Sequence, residues 1–292
     1  MTSHDVVARC RRVFRQRQVG HAGTLDPDAT GVLLIGLGNA TRLLRYLSES
    51  RKSYRGTITF GSSTDTLDAA GIVTGTCTMN VERSRLELAV AEFEGPIQQI
   101  PPMVSAIKID GKRLHELARD GIEVERKPRP VTIHRIEVES VVLDAHPQAA
   151  TVLVECSSGT YIRTLAADIG TALGGLAHLA TLRRLSVGAF MIGEATPLAT
   201  IMAAEAPNEF VLSPAAMLRS MPVVTPNAEQ LAKIANGATF SAAEFLPAAL
   251  GEHEGPFAVH DASAQLVAVY ERRAATLGVK PALVIPRSDR PS

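Results

Sequence analysis

Residues 20–34 read GHAGTLDPDATGVLL and place one acidic side chain, Asp26, in a loop rich in glycine and threonine. Pro27 has no N–H and disfavours helical backbone angles at Asp26. The apolar run that begins at Val32 predicts a buried strand directly after the loop. An aspartate on a stiff, anchored loop is well placed to present a carboxylate for chemistry. An ordinary Asp-Pro turn is the alternative interpretation.

Length and composition indicate a globular chain with one large and one small domain. It has 292 residues, of which 46% are hydrophobic, enough for a sizeable core. No apolar run is long enough for a membrane span and no signal-peptide pattern opens the chain, so we expect a cytoplasmic protein with no membrane contact. The three cysteines are far apart without a CxxC pair and the eight histidines are scattered. We therefore expect no disulfide framework and no metal site.

Charge is unevenly distributed although the formal net charge is zero. Residues 1–60 contain ten basic side chains against four acidic ones, whereas the part after Thr200 contains seven against nine. The excess of arginine near the unusual loop suits a phosphate backbone. For residues 9–17 alone, a solvated helix face is an equally fair interpretation.

Periodicity predicts an α+β fold, with a mixed, largely antiparallel sheet and flanking helices. We expect an N-terminal helix over residues 5–17 capped by Ser3, and a second helix over residues 41–48. Further segments read as two helices, at 84–93 and after Tyr161, and as strands at 53–60, 72–78, 131–143 and 149–157, with another apolar element at 178–187. Residues 203–226 resemble a linker. Short β-like runs from about Val223 onward predict a small β-rich domain.

Residues 100–129 form a basic, proline-containing excursion between sheet elements. Lys108 and Lys112 are among its seven basic side chains. Such a segment predicts a projecting binding lobe, with an ordinary charged surface loop as the alternative.

The residues point to nucleic-acid chemistry without selecting a reaction. GxSxG, HExxH, GxxxxGK[ST] and GxGxxG motifs are all absent from the sequence, which removes the usual signatures of hydrolases, metalloproteases and nucleotide-cofactor enzymes. Asp26, Tyr54 on a predicted strand and Arg163 at a strand–helix junction remain. A carboxylate, an aromatic face and cations suit a nucleoside extruded from its stack.

The motif around Asp26 resembles that of the TruB-type tRNA pseudouridine synthases, which modify uridine-55 in the TΨC loop. The resemblance continues, in family order, through residues 52–55 (KSYR), 61–71 (GSSTDTLDAAG), 101–124 (beginning PPMVSAIKIDGKRL), 157–170 (SSGTYIRTLAADIG) and 178–188 (HLATLRRLSVG). It therefore covers most of residues 2–188.

The resemblance implies a role for each candidate residue. Asp26 is then the catalytic aspartate, Arg163 pairs with it and holds it ionised, and Tyr54 stacks on the target uracil. Leu182 packs at the base pocket and His21 fills the gap left by the extruded nucleotide. Gly23, Thr24, Lys108 and Lys112 are expected to bind substrate. Without the resemblance, each of these residues has an ordinary structural explanation.

The implied reaction cleaves the glycosidic bond of uridine, rotates the uracil and rejoins it through carbon 5. It uses no metal and no cofactor, and its partner is the T-arm of tRNA. We expect a monomer with a catalytic domain over residues 1–220, an RNA-binding insertion at about 100–129, and a small PUA-like domain over residues 223–292.

Two departures from the family pattern leave an alternative open. The family usually opens with a strand and a KPxGxTS segment, of which only Thr2 and Ser3 have counterparts, and His115 stands where a tyrosine is common. Loss of an edge strand would weaken the wall of the active site. The alternative is therefore a non-catalytic RNA-binding or tRNA-folding protein on the same scaffold.

Overall fold

A computed structural model describes residues 1–105, 107–109, 111–114, 117, 121–122, 124–273 and 278–286. The chain divides into two compact units built from interleaved segments. Unit 1 comprises residues 1–3, 23–33 and 48–195, and unit 2 comprises residues 4–22, 34–47 and 196–292. The functional division predicted at residues 220–223 stays a prediction.

Strands and helices are interspersed along the described residues. The strands, β1 to β18 in chain order, are Val19–Ala22, Thr30–Gly31, Leu34–Leu37, Lys52–Phe60, Ser62–Thr64, Val73–Thr76, Gly95–Gln99, Lys108–Ile109, Lys112–Arg113, Arg129–Val142, Ala149–Cys156, Ala177–Val187, Phe190–Met191, Val223–Val224, Phe240–Ser241, Phe257–His260, Leu266–Arg272 and Gly278–Val284. The α-helices, α1 to α8, are Ser3–Val13, Leu44–Ser48, Arg83–Ala91, Ile162–Ala172, Leu198–Ala203, Pro214–Met217, Ala228–Ile234 and Ala242–Phe245. Short 3₁₀ helices occupy Gly38–Leu43, Ile192–Glu194, Pro207–Phe210 and Ala248–Leu250.

Unit 1 is built on a sheet with the strand order β13-β12-β4-β11-β10-β7. Neighbouring strands on this path are antiparallel, and β2 adds to β12 in parallel. Every second residue of β4 is buried, as expected for a strand with one face on a core. Leu86 of α3 and Leu165 of α4 join that core. The predicted α+β class, with its largely antiparallel sheet and flanking helices, is confirmed.

Unit 2 contains a second sheet, in the order β14-β16-β17-β18-β15. Its core includes the aromatic rings of Phe240 and Phe245, which stack with centroids 4.7 Å apart. The Tyr270 hydroxyl in the same core donates to the carbonyl of Ala238 at 2.7 Å. The β-rich C-terminal part predicted from the sequence is confirmed. Within the described residues, every helix is too short or too polar to cross a membrane.

The N-terminal helix differs from the prediction at both ends. It spans Ser3–Val13 instead of residues 5–17, and Ser3 is its first residue instead of its cap. The Ser3 hydroxyl accepts a hydrogen bond from the Leu25 N–H at 2.9 Å and donates to the Leu25 carbonyl at 3.3 Å. The serine thus holds the loop that contains Asp26, a long-range contact that local capping rules do not include.

Two other predictions were wrong in detail. In the run from Val32 to Ile35 only Val32 is fully buried, and Leu34 and Ile35 belong to β3, which pairs with β1 in a two-stranded sheet. Residues 203–226 are not a plain linker, since α6 and the 3₁₀ helix Pro207–Phe210 lie within them. Helices of four residues are too short to show a clear periodicity in the sequence.

Candidate active site

Asp26 lies in an irregular segment between β1 and β2. The Ala29 N–H donates to the Asp26 carbonyl at 3.0 Å, which closes a turn with Pro27 in its second position, where the fixed φ of proline is favoured. The Asp-Pro turn and the presentation of the carboxylate are therefore one feature, and the two interpretations of the sequence do not exclude each other.

Arg163 meets Asp26 from the first turn of α4. Its Nη2 lies 2.9 Å from Asp26 Oδ1, with 5% of the arginine side chain exposed and 36% of the aspartate. Backbone carbonyls fix the guanidinium, because Nη1 donates to Thr66 at 3.0 Å and Nη2 to Val104 at 2.8 Å. A buried, fully engaged arginine thus holds a carboxylate that still reaches the surface.

Asp68 supplies a second carboxylate to the same guanidinium. Its Oδ2 lies 3.5 Å from Arg163 Nη1. Its Oδ1 accepts from the Thr66 hydroxyl at 2.6 Å and from the Ala70 N–H at 3.1 Å. Sequence reasoning gave Asp68 no role, although it lies in the quoted segment at residues 61–71. Its contact with Arg163 is a long-range interaction that the local sequence pattern does not show.

Burial governs the protonation of Asp26. It raises the pKa of this carboxyl above its ordinary value, and the cation of Arg163 opposes the rise. The nearby charges of Asp68 and Asp28 also raise the pKa. The interaction expected to keep Asp26 ionised is therefore present, but desolvation outweighs it. A carboxylate stripped of part of its water is more basic and more reactive than a solvated one.

Two tyrosines share the electrostatic environment of Asp26. Tyr54 on β4 is 8% exposed and joins the core of unit 1. Burial raises its pKa while Arg184 lowers it. Burial likewise raises the pKa of Tyr161, which precedes α4, and the charge of Asp26 adds to the rise for both phenols. Tyr161 lies within the motif at residues 157–170, but the sequence analysis did not predict it as a site residue.

Arg184 of β12 holds the Asp26 loop through hydrogen bonds to its backbone carbonyls. It is 1% exposed. Its Nε donates to the carbonyl of Val32 at 2.7 Å, its Nη1 to that of Thr24 at 3.3 Å and its Nη2 to that of Gly23 at 3.2 Å. Both ends of the loop are thereby tied to one buried cation.

A glycine and a lysine complete this support. A side chain on Gly31, which has φ +111°, would place Cβ 2.1 Å from the Arg184 carbonyl oxygen, so only glycine fits there. Lys52 is 6% exposed and its ammonium donates to the carbonyls of Ser48 at 2.8 Å and Ser50 at 3.1 Å. Burial, and then the charge of Arg184, lower the pKa of Lys52. Neither Lys52 nor Arg184 forms an ion pair with a carboxylate of the described residues.

The other predicted site residues lie at varied places. Gly23 and Thr24 are held through their carbonyls by Arg184, as above. Leu182 of β12 packs against the core of unit 1 and lines a groove of about 460 Å³, together with residues that include Thr30 and Arg55. Asp26, Tyr54 and Arg163 are not among the residues that line this groove.

The substrate contacts predicted for His21 and for the basic excursion at residues 100–129 remain predictions. His21 lies on β1 opposite Ile35 of β3, in unit 2. Lys108 and Lys112 lie on β8 and β9, which pair as a short hairpin; their side chains fall outside the described residues, as does His115. The described residues contain no group of three histidine, cysteine, aspartate or glutamate side chains arranged to hold a metal ion.

Two family models match the chain. Residues 11–162 match the model described as TruB family pseudouridylate synthase (N terminal domain), and residues 163–220 match the tRNA pseudouridylate synthase B C-terminal domain. The tRNA pseudouridine synthase B of Symbiobacterium thermophilum is 46% identical over 241 residues, which cover 81% of this chain and 78% of that protein. The protein of the same name from Mycobacteroides abscessus is 51% identical over 200 residues, 68% of this chain and 67% of the relative.

Solved structures share the fold at lower identity. A chain of a Cbf5-Nop10-Gar1 complex superposes with a TM-score of 0.74 at 24% identity, covering 100% of this chain and 84% of that one. A chain of an H/ACA RNP bound to a substrate RNA containing 2'-deoxyuridine superposes with a TM-score of 0.73 at 22% identity and the same coverage.

Proposed function

The chain belongs to the TruB family of pseudouridylate synthases, and from this premise we propose that it isomerises uridine-55 in the TΨC loop of tRNA. Pseudouridine synthases are isomerases, and the resemblance on which the sequence-based assignment rested is confirmed. The names of the relatives support tRNA as the substrate, and the resemblance supports the choice of nucleotide. The observation that carries the proposal is the partly exposed Asp26 carboxylate, 2.9 Å from a guanidinium fixed by backbone carbonyls.

We assign the central chemistry to Asp26 with Arg163 as its positioning residue. Three routes use this carboxylate: attack on the anomeric carbon, addition to the base, or removal of a sugar proton. Each route needs it ionised. Arg163 supplies the opposing charge, while its bonds to Thr66 and Val104 fix its direction. The geometry therefore supports a general requirement for an ionised, oriented carboxylate without choosing among the routes.

The surroundings support a role in handling an extruded base. The charge of Asp26 acts on the phenol of Tyr54 and contributes to its raised pKa. We propose that the aromatic ring of Tyr54 stacks on the uracil. We assign Leu182 to the edge of the base pocket, Gly23 and Thr24 to substrate contacts of the loop, and His21 to the space vacated by the nucleotide. Extrusion costs a few kcal/mol, so a structured loop with strained nucleotides is a suitable substrate.

RNA binding is the second part of the proposal. We propose that the basic excursion at residues 100–129, with Lys108 and Lys112, grips the T-arm, and that the protein works as a cytoplasmic monomer without a metal or cofactor. A non-catalytic RNA-binding protein on this scaffold is the competing function. It does not require a buried arginine directed at a partly exposed carboxylate, because removal of that pair would leave a basic surface unchanged.

The proposal is tested by mapping pseudouridine at nucleotide resolution in tRNA transcripts. After incubation with the wild-type protein, we expect one new pseudouridine in the T-loop. A transcript with cytidine at that position is the matched control and should gain none. RNA binding without any pseudouridine would favour the competing function, and modification outside the T-loop would contradict the assigned nucleotide.

A further inference from the structure

Four exposed arginines cluster at the end of α1 and in the segments beside it. We define this basic surface as Arg12, Arg15, Arg17 and Arg42, all in unit 2. None of the four forms an ion pair with a carboxylate of the described residues, although Arg45, close by in sequence, pairs with Glu271. Four positive charges are therefore presented to solvent without compensation.

Backbone and side-chain bonds bring the segments of this surface together. The Gly38 N–H donates to the Gln18 carbonyl at 2.7 Å, and the Gln18 amide donates to the Thr41 hydroxyl at 2.7 Å. The residues that follow α1 are thus fastened to the 3₁₀ helix that carries Arg42. The backbone that carries this surface is therefore fixed by the fold.

Arg15 occupies a backbone position that disfavours it. Its φ is +48°, and it lies in a Schellman turn, since its N–H donates to Arg12 and the Gln16 N–H donates to Arg11, at 3.3 and 3.1 Å. Glycine, or sometimes asparagine, is preferred at this position because a β-carbon strains the left-handed conformation. Within the part of the chain that the structure describes, the exposed Arg15 side chain has no hydrogen bond or ion pair that would offset the strain.

The helix dipole accounts for only part of this cluster. Cations near a helix C-terminus are favourable, which explains Arg12 in the last turn of α1. The effect falls off within one turn, whereas Arg17 and Arg42 lie outside the helix. A strained arginine within an uncompensated cluster fits a phosphate-bearing partner instead.

We propose that this basic surface binds phosphate groups of the RNA substrate, separately from the basic excursion at residues 100–129. The inference rests on the proposed function, because RNA is the polyanion on which that function acts. A folded RNA backbone offers phosphates at regular spacing, and flexible exposed arginines follow such a backbone without reading its sequence.

Arg15→Gly separates binding from folding because the two effects have opposite signs. The glycine relieves the backbone strain, so the thermal midpoint should stay at or above that of the wild type. Loss of the cation should weaken tRNA binding and reduce the slope of log affinity against log salt by about 0.7 to 0.9. Arg15→Lys restores the charge and should restore most of the affinity. Replacement of Arg12, Arg17 and Arg42 by glutamine should reduce the slope further, by a similar amount for each residue.

Arg83→Gln is the matched control, because Arg83 is exposed but pairs with Glu87 at 2.7 Å on α3. It should leave tRNA affinity and salt slope unchanged. Unaltered affinity and slope in Arg15→Gly and the glutamine variants would overturn the inference, as would an equal loss in Arg83→Gln. Wild-type protein that binds tRNA through this surface but forms no pseudouridine would contradict the proposed function alone.

Discussion

At the scale of single residues, the chemistry depends on two opposing effects on the Asp26 carboxyl: its desolvation on burial and the positive charge of Arg163. Its carboxyl is desolvated enough for its pKa to rise above the ordinary value of 3.8, yet a cation lies 2.9 Å away. Reactivity and orientation thus come from different groups. Burial increases the basicity of the carboxylate, and the guanidinium fixes its direction.

The raised pKa of Asp26 predicts the pH dependence of turnover. Since every proposed route needs the ionised form, kcat/KM should fall as pH decreases, with a midpoint above 3.8. Steady-state rates between pH 4 and 8 on the same tRNA transcript test this. An acid limb at or below the ordinary aspartate value would show that the solvent around Asp26 is not restricted as described.

The same shift fixes the sign of its effect on stability. A carboxyl whose pKa is higher in the folded state favours folding most at pH below its unfolded value, and this contribution is lost as pH rises through the folded pKa. At neutral pH the ionised Asp26 therefore lowers the free energy of unfolding relative to a protonated Asp26. Asp26→Asn should melt at or above the wild-type temperature at pH 7, and a clearly lower midpoint would contradict the pKa direction.

Arg163 should matter more for turnover than for RNA affinity. Arg163→Ala removes the cation and the donors that orient Asp26, so kcat should fall by about 10²- to 10³-fold, while the tRNA dissociation constant changes little. Arg163→Lys keeps the charge but not the forked geometry, so its kcat should be intermediate. Single-turnover rates and binding are measured well below the melting temperature of each variant. Equal losses in rate and affinity would remove Arg163 from the active site.

At the scale of secondary-structure elements, the Asp26 loop depends on β12. Arg184 donates to carbonyls at both ends of the loop, and Gly31 approaches its backbone too closely for any side chain. The loop is therefore rigid because of a strand that lies about 150 residues later in the chain.

Arg184→Met should loosen this loop without changing any proposed reacting group. The carbonyls of Gly23, Thr24 and Val32 lose their donor, and that of Val32 is buried. The free energy of unfolding should therefore fall by about 1–3 kcal/mol. Turnover should fall by about a hundredfold, because misplacement of a catalytic group by about 1 Å has effects of this size.

The adjacent Arg183→Met is the control for this substitution. Arg183 is exposed and, among the described residues, donates only to the Thr30 hydroxyl, at 3.2 Å. Its loss should be small in both chemical denaturation and turnover. If the two variants behave alike, Arg184 does not position the loop.

Sequence reasoning succeeded where the signal is local. The alternation along β4 and the helix that follows Tyr161 were both predicted, since each depends on residues adjacent in the chain. Ser3, Asp68 and Arg184 were missed because their roles arise from partners at 22 or more positions away. Arg184 in particular is a buried cation, and on sequence criteria an arginine is expected at the surface.

At the scale of the whole molecule, the fold class and the family were predictable, while the division into compact units was not. The family is carried by the motifs at residues 20–41, 52–55, 61–71, 101–124, 157–170 and 178–188. The sheets confirm the α+β class. Each unit, however, combines segments that are far apart in the chain. No local pattern indicates that α1 and residues 34–47 group with the C-terminal part, because that grouping depends on tertiary contacts alone.

The most direct test of the account is tritium release from tRNA labelled at carbon 5 of uridine, since joining the sugar to that carbon displaces its hydrogen. Wild-type protein should release tritium in proportion to the pseudouridine formed. Asp26→Asn should release none while binding tRNA normally, and Asp28→Asn, which removes the same charge two residues away, should retain most of the release. Release by Asp26→Asn at the wild-type rate, or none by the wild type despite tight binding, would contradict the claim that Asp26 is the centre of a uridine isomerisation.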